Sequence, residues 1–148
     1  DCVALLQENR VCGAANIVLC DGQGDFCSVE VRPDRAVRFD DDHSDRMVHT
    51  NHYLNPELVA FQDRDVPPNS YHRLERMRKL IQDHWGQIDA NTMKLFLANH
   101  EDEPASICRH GGPTPSHSIA GYVAEPAKGL FHVRRGRGCS GSWETYAV

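Results

Sequence analysis

The chain has 148 residues, 40% hydrophobic and 25% charged, the proportions of an ordinary globular protein. That length suits one domain or part of a larger one, and a chain this short buries roughly two thirds of its unfolded surface if it folds alone. A net charge of −5 argues against a nucleic-acid partner or an acidic membrane surface. No apolar run approaches the roughly 18 residues of a membrane-spanning helix.

No basic-then-apolar leader opens the chain. It begins at Asp1 rather than Met, and a segment upstream of Asp1 is expected. The six cysteines, Cys2, Cys12, Cys20, Cys27, Cys108 and Cys139, form no Cys-x-x-Cys pair. A chain with a real core does not need a disulfide framework. Four of the six stand in apolar or strand-like contexts, where a free cysteine behaves as a small hydrophobe. Reduced, mostly structural thiols are therefore expected, and a cytoplasmic setting is favoured.

In chain order, Cys2 to Arg10 reads as a helix with Gly13 as its stop. Ala14–Cys20 and Phe26–Val31, joined by the turn formers Asp21 to Asp25, predict a β-hairpin. Ser28 and Glu30 share one face of its second strand, and Val29 and Val31 the other. A third strand is expected over Ala36–Phe39. Asp40, Asp41, Asp42 and Asp45 form an acidic loop that reads as a solvated turn, since cation sites need spaced ligands and usually a glycine. Met47–His52 is read as the next strand.

Asn55-Pro56 and Pro67-Pro68 bracket a long connection. Ser70 is expected to cap a helix whose buried face carries Leu74, Met77, Leu80 and Ile81 and which Gly86 ends. Asp89 caps a shorter helix holding Met93, Leu95, Phe96 and Leu97. A strand is expected over Ser116–Ala124, a turn over Pro126–Gly129, a strand over Leu130–Arg134 and a last one over Trp143–Val148. This order predicts an α+β domain with antiparallel sheets.

His49 and His52, three apart on a strand, point to opposite faces and make no metal pair. The nine histidines show no metal-ligand spacing. Cys108 reads as core. Arg109 is able to bind a substrate carboxylate through two parallel hydrogen bonds, or to serve as a structural ion-pair partner. The basic run Arg134-Arg135-Gly136-Arg137-Gly138 has no interleaved aromatics and reads as a solvated hairpin end.

The block Arg46-Met47-Val48-His49-Thr50-Asn51-His52-Tyr53-Leu54 resembles the Thr-Asn-His segment of the acyl-CoA:6-aminopenicillanate acyltransferase family, which are cysteine N-terminal-nucleophile (Ntn) hydrolases of the peptidase C45-like kind. Gly13-Ala14-Ala15-Asn16 with its hairpin, Ser70-x-x-Arg73-x-x-Arg76-Met77 and Ser106-Ile107-Cys108-Arg109 are similar to further blocks of that family in the same order. The resemblance covers nearly the whole chain and corresponds to the C-terminal portion of the family's catalytic unit. It implies that residues 1–148 are the C-terminal part of a single Ntn-hydrolase-like domain, part of an αββα four-layer sandwich with antiparallel sheets.

It also implies a chemistry. A cysteine freed as an N-terminus by self-cleavage attacks an amide or thioester carbonyl, and its α-amino group acts as base. Asn51 corresponds to the family asparagine that donates to the oxyanion. An acyl-cysteine then passes its acyl group to water or an amine. No cofactor is implied, and acyl-CoA is a possible substrate. The partners expected are a small amide or acyl thioester, the missing N-terminal segment of the same enzyme, and possibly a second copy of the chain.

Departures limit the resemblance. The family nucleophile follows a glycine well upstream, and Cys2, after Asp1 in a helical segment, does not match it. Arg32 replaces a family serine, and a later Ser-Arg pair is unmatched around Thr114–His117. These changes leave any penicillin-specific activity unsupported. Without the nucleophile the isolated chain is expected to be inactive. The alternative is a non-catalytic Ntn-like binding or assembly module.

Overall fold

A computed structural model of the chain describes residues 2–40, 45–62, 66–112 and 116–148. The architecture is mixed α+β, with four α-helices and two three-stranded antiparallel sheets among the described residues. It divides into two compact units, Asp1–Pro67 and Pro68–Val148.

The first unit opens with helix α1 (Cys2–Glu8), followed by β1 (Ala15–Cys20), β2 (Phe26–Arg32) and β3 (Arg35–Phe39) in the order β1-β2-β3. The predicted hairpin is present, with Ala15 opposite Val31 and Cys20 opposite Phe26. Its turn forms because the Asp21 carboxylate accepts from the backbone N–H of Gln23 and Asp25, at 2.9 and 3.0 Å. Gly24 there takes φ 98°, a conformation open to glycine at no steric cost. Strand β2 is buried on both faces. Val29 and Val31 serve the core with Phe39, Val48 and Leu58, while Ser28 and Glu30 on the opposite face are fully buried.

The expected strand over Met47–His52 is absent: residues 46–50 belong to no ladder. Side-chain hydrogen bonds hold this segment instead. A short helix α2 (Pro56–Val59) follows, capped by Asn55, whose Oδ1 accepts from Glu57 N–H at 2.9 Å. Asp41 and Asp42 of the acidic loop lie outside the described residues. Asp40 meets Arg38 at 2.8 Å, and Asp45 meets Arg46 at 3.5 Å.

The second unit comprises α3 (Asn69–Asp83), α4 (Ala90–Phe96), β4 (Ala120–Glu125), β5 (Leu130–Arg135) and β6 (Glu144–Ala147), with β5 central in its sheet. Helix α3 starts one residue before Ser70. Pro68 takes the cap position without a side-chain bond, and Ser70 lies fully buried inside the helix. Proline supplies the first turn's φ in advance, so the serine is not needed as a cap. Leu74 and Ile81 are buried as the periodicity predicts. Asp89 caps α4 by accepting from Thr92 N–H at 2.7 Å. Strand β4 begins at Ala120 rather than Ser116, because His117 is engaged in an isolated bridge with His110.

Two further expectations change. Arg134 is 2% exposed rather than solvated: its guanidinium lies over the Trp143 ring at 4.8 Å and donates to Gly138 O. The ring and the carbonyl replace part of the water a surface arginine would keep, while the buried Nε has no hydrogen-bond partner among the described residues. Arg135 and Arg137 do face solvent. All six cysteines are free, yet only Cys108 is buried and Cys27 half-buried. The other four are exposed, because they stand at the outer faces of α1 and the edge strand β1 or in connections.

Candidate functional site

The first unit contains a cleft of about 370 Å³, lined among others by Asn16, Arg32, His49, Asn51, His52 and Phe61. Asn51 is exposed at this cleft, with His52 buried beside it. The block singled out in the sequence therefore stands at the cavity, although as an irregular segment rather than a strand end.

Glu30 organises that segment. Its carboxylate is fully buried in the middle of β2. One oxygen accepts from His49 Nε2 at 2.7 Å and from Leu54 N–H at 2.6 Å, and the other from Asn55 N–H at 3.0 Å. Burial pushes this carboxyl up, but the hydrogen bonds from His49, Leu54 and Asn55 outweigh it and hold it below the usual glutamate range. The second His49 nitrogen, Nδ1, lies 2.7 Å from Thr50 O. Glu30 and His49 thus make a tight side-chain contact at the centre of the segment.

Neighbouring bonds extend the clamp. Tyr53 N–H donates to Gln62 Oε1 at 2.6 Å, and Tyr53 OH donates to Val31 O at 3.1 Å. Thr50 Oγ1 and His52 Nδ1 are 3.2 Å apart. Across the hairpin, Ser28 Oγ donates to Asn16 Oδ1. Residues on both sides of Asn51 are thus fixed, while its side chain remains at the open cleft. A primary amide there donates N–H to a developing negative charge without losing a proton.

Arg32, at the position where the serine was expected, lines the cleft. Its guanidinium stacks on Phe61 at 4.2 Å and meets Asp34 at 2.5 Å. Its buried Nη1 has no hydrogen-bond partner among the described residues. Sequence reasoning treated Arg32 only as a departure. The signal that could have found it is a cation closing an otherwise buried strand.

Arg109 belongs to the second unit and is half-buried. Its N–H donates to Ser118 Oγ at 3.0 Å, and its carbonyl accepts from Ser118 N–H at 2.9 Å. Its charge acts on Arg73, whose guanidinium is held below its ordinary range first by burial and then by Arg109. Thr114, one end of the unmatched Ser-Arg position, lies outside the described residues. None of the six cysteines is among the residues lining the first unit's cleft.

A family model described as acyl-coenzyme A:6-aminopenicillanic acid acyl-transferase matches residues 1–138. No curated protein matches the chain.

Proposed function

The chain belongs to the acyl-coenzyme A:6-aminopenicillanic acid acyl-transferase family, and from that premise we propose that it carries the oxyanion-stabilising part of a cysteine Ntn acyltransferase or amidohydrolase. The observation that carries this reading is the placement of Asn51 at an open cleft, between neighbours clamped by the buried Glu30–His49 pair. On this reading a cysteine thiolate, contributed by a segment N-terminal to these residues in the same enzyme, adds to an amide or acyl-thioester carbonyl. Asn51 Nδ2–H donates to the oxygen as the C–S bond forms. Collapse expels the amine or thiol, which takes a proton from the nucleophile's own ammonium. Water or an amine then releases the acyl group.

The same proposal gives residues 1–148 a place within one Ntn domain, each sheet contributing to an αββα sandwich. The outer face of β4-β5-β6 supports it. Tyr122 and Tyr146 there are 70% and 50% exposed, and Phe131 pairs with Tyr146 across the sheet. A missing layer of the same enzyme, or a second copy, would cover such a face. Arg109 is the candidate holder of a substrate carboxylate, and Arg32 favours a substrate with negative charge near the reacting carbonyl. No cofactor enters. Acyl-CoA fits as an acyl donor.

In the enzyme that includes the upstream cysteine, Asn51→Ala is expected to lower kcat by about 10²–10³ with little change in KM. Unchanged kcat would remove Asn51 from the oxyanion hole. A second reading, a non-catalytic module, is favoured by the cleft's lack of a cysteine. Adding the upstream segment to the purified chain separates the two: restored amide or thioester cleavage supports the enzyme, and its absence in a folded complex supports the module.

A further inference from the structure

In the second unit, four side chains that play no part in the proposed chemistry converge. His100, Cys108, His110 and Cys139 each offer a ligand atom, and these atoms all lie within 4.8 Å of one another. His110 Nε2 is the hub. It is 2.8 Å from His100 Nε2, 3.6 Å from Cys108 Sγ and 3.2 Å from Cys139 Sγ. A tetrahedral zinc ion, with bonds of about 2.0 Å to nitrogen and about 2.3 Å to sulfur, sets its ligand atoms roughly 3.3–3.8 Å apart. The observed separations straddle that range, so small side-chain rotations suffice.

The backbone builds this convergence. The chain leaves α4 through Leu97 and Ala98, and Cys108 N–H closes the following loop on Asn99 O at 2.9 Å. Cys108 and His110, two apart beside the bridge to His117, bring Sγ and Nε2 within 3.6 Å of each other. Gly138 then packs so tightly on this segment that an added Cβ would lie 2.0 Å from Leu97 O. That contact delivers Cys139 to the cluster. Cys108 is fully buried, and His100 is half-buried.

We propose that His100, Cys108, His110 and Cys139 form a tetrahedral zinc site that ties the loop after α4 to the connection between β5 and β6. Two thiolates and two neutral imidazoles are a donor set suited to zinc, and four protein ligands leave no open position, so the site is structural. A Cys108–Cys139 disulfide would use only the sulfurs and leave the two convergent histidines without a role. A catalytic thiol–imidazole pair would need one of each rather than two.

Binding balances simply. Each thiol releases its proton to solvent and each imidazole gives a lone pair, with no change of oxidation state. Arg137 Nη1 lies 3.3 Å from His110 Nδ1. A guanidinium only donates, so in the metal-free form Nδ1 carries the lone pair and Nε2 the proton. Zinc at Nε2 moves that proton to Nδ1 and displaces Arg137.

The test uses the chain purified under reductant, loaded with zinc, passed over a desalting column and assayed for bound metal. One zinc per chain is expected for the wild type and for Cys20→Ser, an exposed cysteine outside the cluster. Loss of that equivalent is expected in Cys139→Ser and in His110→Ala, both at exposed positions. Cobalt loaded in place of zinc should give the intense visible bands of a tetrahedral thiolate complex, and Arg137→Ala should bind it more tightly. Zinc should also shield Cys108 and Cys139, but not Cys20, from alkylation. Wild-type retention no greater than that of Cys139→Ser overturns the site. So does an octahedral cobalt spectrum, or a Cys108–Cys139 disulfide that persists under the loading conditions.

Discussion

Replacing Glu30 with Gln changes one atom at the centre of the first unit and tests the account of the cleft. The carboxylate accepts from His49, Leu54 and Asn55, and hydrogen bonds to a charged group contribute roughly 1.5–3 kcal/mol each. Gln keeps the shape. Its Oε1 can still accept from His49 and Leu54, but those bonds drop to the neutral range of roughly 0.5–1.5 kcal/mol. Its NH₂ then meets the Asn55 N–H donor to donor. Removing a buried charge returns part of its desolvation cost, which leaves a net loss of about 3 kcal/mol. For a chain of this size that corresponds to a fall in Tm of about 10 °C. Urea denaturation followed by circular dichroism at neutral pH measures it, with Glu57→Gln at an exposed position as control. A Glu30→Gln variant within about 0.5 kcal/mol of wild type, the usual range of surface changes, would refute the view that this carboxylate holds the segment around Asn51.

The remaining predictions follow from the same geometry. Glu30 is held below its ordinary range, so its contribution is fully present above the unfolded pKa of about 4.3 and is lost as pH falls through the lower folded value. The stability gap between wild type and Glu30→Gln should therefore be constant from about pH 7 to 5 and narrow below about pH 4; a gap that widens on acidification contradicts the assigned direction. Gly138→Ala puts a Cβ 2.0 Å from Leu97 O and 2.8 Å from Ala98 Cα. Both are backbone atoms that cannot rotate aside, so the variant should lose on the order of 1–3 kcal/mol and retain less zinc; an unchanged melting curve would show that the two segments separate without cost.

The local elements were legible where a signal is complete within a few residues. Asp21 to Asp25 closes a hairpin with its own side chain, and Asp89 caps α4 through Thr92. Leu74 and Ile81 mark the buried face of α3. The misreadings arise where remote residues decide. Residues 46–50 have strand-like composition, yet the segment that follows is held by a carboxylate from β2, so it needs no ladder. Arg134 looks solvated until Trp143, nine positions later, covers it. Asn51 was singled out only through family likeness, because an asparagine after a short apolar run is ordinarily a turn residue. Glu30 was legible as a polar residue alternating with Val29 and Val31, but its partners are 19 to 25 positions away. The His100, Cys108, His110 and Cys139 cluster has no recognisable spacing, since its last member arrives from the connection between β5 and β6.

Asn55 joins three parts of the first unit. Its N–H reaches Glu30, its Oδ1 caps α2, and its Nδ2 donates to Arg38 O at 3.2 Å. Hydrolysis of its amide to a carboxylate would spare the cap but erase the donor to β3 and set a negative charge against a carbonyl oxygen. Spontaneous deamidation of asparagine runs mainly through a cyclic imide that requires the N–H of the next residue, and here that residue is Pro56, which has none. The junction is thus placed where chemical ageing is slow. Asn51 precedes His52 and has no such protection, so in stored protein the cleft is exposed to covalent decay at a position the scaffold is spared.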